Sequence, residues 1–497
     1  MMTNKPRINV VWLKRDLRLQ DNEAITKALS TGKPVLLLYV FEHILLNDNH
    51  YSERHFNFIK ESINDLNKQL EPCNTKVLSV TSDIQTAFNL IQEFYKIDAI
   101  FSHVETGILV TYNRDKEFTR YCRNNFIRWN ESKNNGVERG LTNRDNWLEQ
   151  WEDYMSQPLL EFNPQENQLL HLNAITTLES VLTVTDLDTP KDSIFQKGGS
   201  STAWKYASSF FENRHKDYMF NISKPEASRT SCSRLSPYIA WGNVSIRQIF
   251  QEAQNVKEQS NDKRHIGGFL SRLRWQAHFI QKFEMEHTME NESVNKGYQK
   301  LKKSISLKYQ QAWKEGQTGF PLVDASMRCL VETGYVNFRM RAMLVSFFTH
   351  ILWQPWQNAS EHLSQQFLDF EPGIHFPQLQ MQADETGINN LRIYNPTLNG
   401  LKHDPDAEFI KKWVPELAHL DVPFIHEPYL MTELEQGLYN FKLGEDYPEP
   451  IVDIKENRKR ASDILWNMKK DPEVVKESFR ILKRHTLQDR NSLLRNN

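Results

Sequence analysis

A chain of 497 residues is long enough for two or three domains, each able to bury its own core. It carries 61 Lys and Arg against 63 Asp and Glu, a net charge of −2, so no global basic field announces nucleic acid. The opening MMTNKPRINVVWLKRD lacks the apolar run and small-residue cleavage site of a signal peptide. No window approaches eighteen uninterrupted apolar residues, so the expectation is a cytoplasmic protein with no membrane contact.

Residues 8–13 form a short apolar run, and Asp21, Asn22 and Glu23 offer an N-cap before a helical pattern over 24–29. A second buried strand is predicted at 35–41, an amphipathic helix at 52–70 and a third strand at 77–80; residues 88–95 and 99–101 repeat the unit. Strands alternating with helices argue for an open parallel sheet covered on both faces. The absence of G-x-G-x-x-G argues against a nicotinamide site in this Rossmann-like domain.

Residues 157–196 show little periodicity and several Pro, Asn and Thr, which reads as a connector packed across two domains. From residue 200 the pattern is helical almost throughout. The expected organisation is therefore an α/β domain at 1–135, a connector at 136–199 and an all-α domain at 200–487. Cys73, Cys122, Cys232 and Cys329 form no C-x-x-C pair, so reduced thiols are expected, with neither a metal site nor a disulfide framework.

Two stretches of the helical half suggest an anionic ligand. In SCSRLSPYIAW (231–241), Ser233 and Ser236 flank Arg234 just before a helix that Pro237 can open. Hydroxyls and free N–H groups at such a turn suit a phosphate, although Ser-x-x-Ser-Pro alone is also an ordinary helix cap. In GQTGFPLVDASMRCLVETGYVNFRMR (316–341), Arg339 and Arg341 project from one short helix.

Together with WLKRDLRLQDN (12–22) and LRIYNPTLNGLKHDPDAEFIKKWVPEL (391–417), these stretches resemble the photolyase and cryptochrome flavoproteins. The resemblance implies FAD in the helical domain. Tyr218 would pack on the flavin, and Cys232, Ser233, Arg234, Leu235 and Ser236 would form the diphosphate loop, with Cys232 in place of a usual threonine. Asp369 and Glu371 would contact the isoalloxazine ring and ribityl chain, Asp369 would pair with Arg341, and His375 would face flavin N5. A histidine there could donate a hydrogen bond or a proton, since its ordinary pKa lies near neutral; the alternative is that it merely packs.

The same resemblance allows a second, antenna chromophore, a folate or deazaflavin, near Lys14, Arg15 and Asp16. Trp356 matches the middle of the family's electron-relay chain, but its neighbours read Leu379 and Lys303. Trp353, Trp313 and Tyr394 are the substitutes for a rerouted relay, or the chain is broken.

On the substrate side Trp275 would stack on a flipped pyrimidine dimer, with Arg272, Gln276, Phe338, Arg339 and Met381 around it. Several of these depart from the family pattern, as do Asn337 and Ala342 where photoproduct repair uses histidines. The branch with a four-cysteine iron-sulfur cluster is excluded, since only Cys232 and Cys329 lie in the helical half. The implied function is a monomeric, blue-light-driven photolyase that splits cyclobutane dimers in UV-damaged single- or double-stranded DNA. The alternative is a photoreceptor of the cryptochrome type. The basic stretch from Lys455 reads as a solvated helix pair rather than a DNA-contacting tail.

Overall fold

The computed structural model describes residues 5–260 and 262–487. Five parallel strands, β1 (Arg7–Leu13), β2 (Val35–Phe41), β3 (Leu78–Thr81), β4 (Lys96–His103) and β5 (Arg128–Ser132), lie in the order β3-β2-β1-β4-β5. Residues of β2 are buried without exception, as expected of a central strand covered on both faces. Val11 of β1 pairs with Leu37 on one side and Phe101 on the other, so β1 sits where the strand order reverses. In open parallel sheets the crevice beyond the strand ends at such a point is the usual ligand position.

Helices α1 (Glu23–Leu29), α2 (Glu53–Leu70), α3 (Ile84–Phe94) and α4 (Leu109–Asn124) cover the two faces. Asn22 caps α1 by accepting from Ile25 N, in agreement with the predicted cap. Sequence reading missed β5. Its residues, RWNES, are mostly half-exposed on a sheet edge and carry no apolar alternation.

The connector serves both domains. Helix α5 (Trp147–Ser156) buries Trp147, Trp151 and Met155 against the helical half, with the Trp151 ring centre 5.4 Å from that of Phe250, whereas α6 (Leu172–Glu179) buries Ile175 and Leu178 in the first domain's core. Val35 N donates to Gln168 O and Leu170 N to Val35 O, both at 2.8 Å, while Thr81 N donates to Thr183 O at 2.9 Å. Further on, Gln196 Nε2 donates to Arg234 O at 2.9 Å, so the connector also touches the helical half.

The two halves are joined at the end of β1. The Arg15 side chain is buried, with Nη1 donating to Phe370 O at 2.9 Å and Ala240 O at 3.3 Å, and Nη2 donating to Tyr51 Oη at 3.1 Å. Its guanidinium lies 4.3 Å from the Trp241 ring centre and 3.7 Å from Glu371 Oε2. Backbone meets backbone here: a Cβ on Gly242 would come within 2.2 Å of Arg15 O, and φ is +73°, so only glycine serves.

Arg15→Leu removes a buried cation, takes the opposite charge away from Glu371 and deprives the Phe370 and Ala240 carbonyls of its donors. The expected cost is about 3–5 kcal/mol of unfolding free energy, read from urea unfolding against the parent protein.

Candidate functional site

A cavity of about 310 Å³ opens in the helical half. Its walls follow helical phase. From α8 (Arg264–Met285) come Phe269, Arg272, Leu273 and Gln276, at i, i+3, i+4 and i+7. From α9 (Phe338–Ser346) come Phe338, Arg341, Ala342 and Val345 at the same spacing. Helix α10 (Pro372–Gln382) supplies Ile374, His375, Gln378, Leu379 and Gln382. Tyr218 and the turn before α7 (Ser236–Ala240), with Ser233, Leu235 and Ser236, close another side.

Pro372 opens α10, and Glu371 caps it by accepting from Gly373 N at 3.4 Å. Gly373 allows the close approach of α10 to α8, since a Cβ there would lie 2.9 Å from Ile280 Cα.

The strongest polar feature is a two-pronged ion pair. Arg341 Nη1 donates to Asp369 Oδ1 at 3.0 Å and Nη2 to Oδ2 at 2.8 Å, while Nε holds Val336 O at 2.9 Å. The Arg341 guanidinium also lies 4.1 Å from the Phe367 ring centre. Burial works to raise the Asp369 pKa, but the charge and hydrogen bonds of Arg341, with the Ser236 hydroxyl, outweigh it and keep the carboxyl below its usual range. Glu371 behaves oppositely: burial pushes it up to about 7, and Arg15 offsets only part of that.

His375 lines the cavity, but not as the near-neutral proton donor expected. Its Nε2 lies 3.1 Å from both the carbonyl and the hydroxyl of Ser360, so the ring proton sits on Nε2 and is given to that carbonyl. Burial lowers its pKa to about 3, leaving a neutral ring whose Nδ1 can only accept.

Six other expected residues do not face the cavity. Trp275 and Met381 are one helical position away from Gln276 and Gln382, about 100° around their helices. Trp275 is half-buried against His278 and Phe279, at ring-centre distances of 5.5 and 6.0 Å. Arg339, likewise next to a cavity-facing position, reaches Ser223 Oγ at 3.4 Å.

Arg234 adopts a left-handed φ of +61° and turns away, stacking 3.8 Å over the Tyr335 ring and donating to Gln196 Oε1 at 2.8 Å. The Cys232 carbonyl is taken by Arg214, and burial pushes its thiol up to about 12. Trp356 is fully buried, with Nε1 donating to Ser293 Oγ at 3.2 Å. Among the described residues, Trp313, Trp353, Trp356 and Tyr394 make no ring contacts with one another.

Sequence reading gave no ligand role to Tyr335, Phe269, Gln378 or Gln382, all of which line the cavity. Counting three residues back from Arg272, and three and seven on from His375, would have found Phe269, Gln378 and Gln382. Asp324 and Arg328 of the 316–341 stretch are structural. Asp324 accepts from Thr318 N at 2.9 Å and Thr318 Oγ1 at 2.6 Å, and Arg328 pairs with Glu416 at 2.7 Å.

The space expected for an antenna is different in kind. Beside Lys14 and Arg15 the cavity measures only about 30 Å³, room for roughly one water. Buried ion pairs fill the surroundings: Arg114 holds Glu42 and Glu105, and Lys14 lies 3.8 Å from Asp115. Asp16 is buried against His103 Nδ1 at 2.7 Å. These residues do not fit a folate or deazaflavin.

A parallel-sheet domain joined to a helical domain, with a cavity lined by both polar and apolar side chains, defines a two-domain protein with a ligand-sized site among its helices. Residues 9–137 match the family model for DNA photolyase, and residues 269–467 match that for the FAD binding domain of DNA photolyase. The chain is 27% identical to a deoxyribodipyrimidine photo-lyase of Alkalihalophilus pseudofirmus, covering 93% of this chain and 98% of that protein. It is 26% identical to cryptochrome-1 of Arabidopsis thaliana, over 93% of this chain and 70% of that one. In structure it superposes on a Synechocystis sp. PCC6803 cryptochrome with a TM-score of 0.82 at 21% identity, covering 93% and 100% of the two chains. The protein belongs to the photolyase/cryptochrome flavoprotein family.

The raised Glu371 pKa has a definite sign. The folded state holds this proton more tightly than the unfolded chain, so its contribution is full below about pH 4.5 and is lost as pH rises through about 7. Glu371→Gln and the parent should therefore match in stability near pH 4, whereas near pH 8 the variant should be about 3 kcal/mol more stable by urea unfolding.

Proposed function

We propose that this protein is a light-driven DNA repair enzyme that binds FAD in the helical cavity and splits cyclobutane pyrimidine dimers. The observation that carries the reading is the cavity's rim. Phe338 lines the cavity yet is 52% exposed, and Arg272 and Gln276 stand on the facing wall. An aromatic face open to solvent beside polar side chains is what a base turned out of its stack requires.

The donor set fits FAD. Ser233 and Ser236 would hold the diphosphate, Tyr218 and Phe269 would enclose the cofactor with apolar surface, and the Arg341–Asp369 pair would lie along the ring system. When bound, reduced and excited by blue light, FAD supplies the electron that opens the cyclobutane ring and takes it back afterwards. The chain holds Arg341 rigidly through Asp369 and Val336 O, so its charge is oriented before any ligand arrives. His375, neutral and tied to Ser360, offers no proton between pH 5 and 8. No chromophore is assigned to the small cavity beside Lys14.

A second reading, a photoreceptor with little repair, is favoured by Leu379 at the cavity wall and by the lack of ring contact, among the described residues, between the candidate relay aromatics. The deciding experiment reduces the flavin chemically without oxygen, adds oligonucleotides carrying one thymine dimer, illuminates with blue light and quantifies restored thymines. Chemical reduction bypasses the relay, so repair is expected; no repair by FAD-loaded protein would favour the photoreceptor. Phe338→Ala should weaken dimer binding at least fivefold, the lower end of one base-stacking contact. Trp275→Ala should retain FAD and change dimer binding less than threefold.

A further inference from the structure

Away from this cavity, a groove of about 450 Å³ runs along one face of α11 (Ile454–Met468). Arg458, Ser462 and Trp466 follow at four-residue steps, with Lys455 and Lys459 beside them on the same face. From Lys455 to Trp466 the helix rises about 16 Å, long enough to run beside more than one phosphate of an extended strand.

Lys455, Arg458 and Lys459 are exposed, and among the described residues none has a carboxylate partner. Lys455 and Lys459 are like charges at i, i+4, an arrangement that works against the helix unless an anion sits between them. Asp463 is the one carboxylate lining the groove among the described residues. Trp466 is 52% exposed, with Lys469 Nζ 5.3 Å from its ring centre. An unpaired cationic row ending at an open indole matches a strand that offers phosphates and one free base face.

The opposite wall, Leu391, Ile393 and Asn395, is fastened to the end of the cavity helix. Arg392 N donates to Asp384 Oδ2 at 3.0 Å, two residues beyond Gln382, and Tyr394 N donates to Ser346 Oγ, the last residue of α9, at 3.1 Å. The Lys469 ammonium holds Asn389 O, tying the far end of α11 to the same segment. The groove therefore continues from structure that forms the cavity.

We propose that this groove binds a single strand of DNA, with its phosphates on Lys455, Arg458 and Lys459 and one base stacked on Trp466. The inference rests on the DNA-repair reading and extends it, since it assigns the strand state and a second contact outside the cavity. A paired duplex has no free base face to give Trp466.

The test is binding by fluorescence anisotropy between about 50 and 200 mM salt, with FAD-loaded full-length protein. The probes are an undamaged single strand, its duplex, and the single strand with one thymine dimer. Lys455→Ala/Arg458→Ala/Lys459→Ala should make the log–log salt slope for single strands shallower by about 2, three contacts at roughly 0.7 each. Trp466→Ala should lose at least fivefold in single-strand affinity, change duplex affinity less than twofold, and be rescued by Trp466→Phe. Both variants should keep the parent's FAD absorbance and its preference for the dimer.

If the parent prefers the dimer but the variants leave slope and affinity unchanged, the groove proposal is overturned and the repair reading stands. Equal losses on single strand and duplex after Trp466→Ala overturn the single-strand assignment. Displacement of the strand by polyglutamate at matched charge overturns nucleic acid in favour of an acidic polypeptide. A parent that binds no DNA overturns the repair reading along with the groove.

Discussion

The cavity depends on a guanidinium from the other domain. Arg15 leaves the end of β1, crosses the boundary and binds the backbone of Phe370, which lies between Asp369 and Glu371. It also reaches Ala240, the last residue of α7, whose first residue lines the cavity. One side chain thus fixes the segment carrying both acidic groups and the turn carrying both serines. The charge cannot be left alone in such a place, and Tyr51, Glu371 and Glu105 together keep it protonated against the penalty of burial.

Once that segment is fixed, neighbouring carboxyls acquire opposite characters from their surroundings. Asp369 receives two donors from Arg341 and stays ionised, whereas Glu371 shares Arg15 at a longer distance and sits near its protonation point at neutral pH. The cavity accordingly pairs a permanent charge with one that responds to pH. The same logic explains the first domain's interior, where Arg114 gathers Glu42, Glu105 and Asp115 and leaves little space beside Lys14.

The sheet was legible because β1, β2 and α2 are continuous apolar or amphipathic runs, and burial on both faces leaves such runs no other use. The edge strand β5 carries no such signature and was lost. In the site, Arg341 and Asp369 were legible because the motif order matched a family, and so were the serines of the turn. What failed was phase and state. Trp275, Arg339 and Met381 each lie next to a cavity-facing position, and a motif in one dimension cannot tell neighbours 100° apart unless each helix is counted from a known contact. The His375 proton depended on Ser360, fifteen residues away on another helix, which no local pattern announces.

The hydrogen bonds from residues 168–183 to β2 and β3 mean that the first sheet is not finished by its fifth strand. Leu170, Ile175, Leu178 and Leu182 belong to the same core cluster as Val10, Leu36 and Val80. During synthesis the domain therefore cannot close its core until the connector has left the ribosome. A truncation at residue 135 would expose a strip of apolar sheet to aggregation rather than release an autonomous unit.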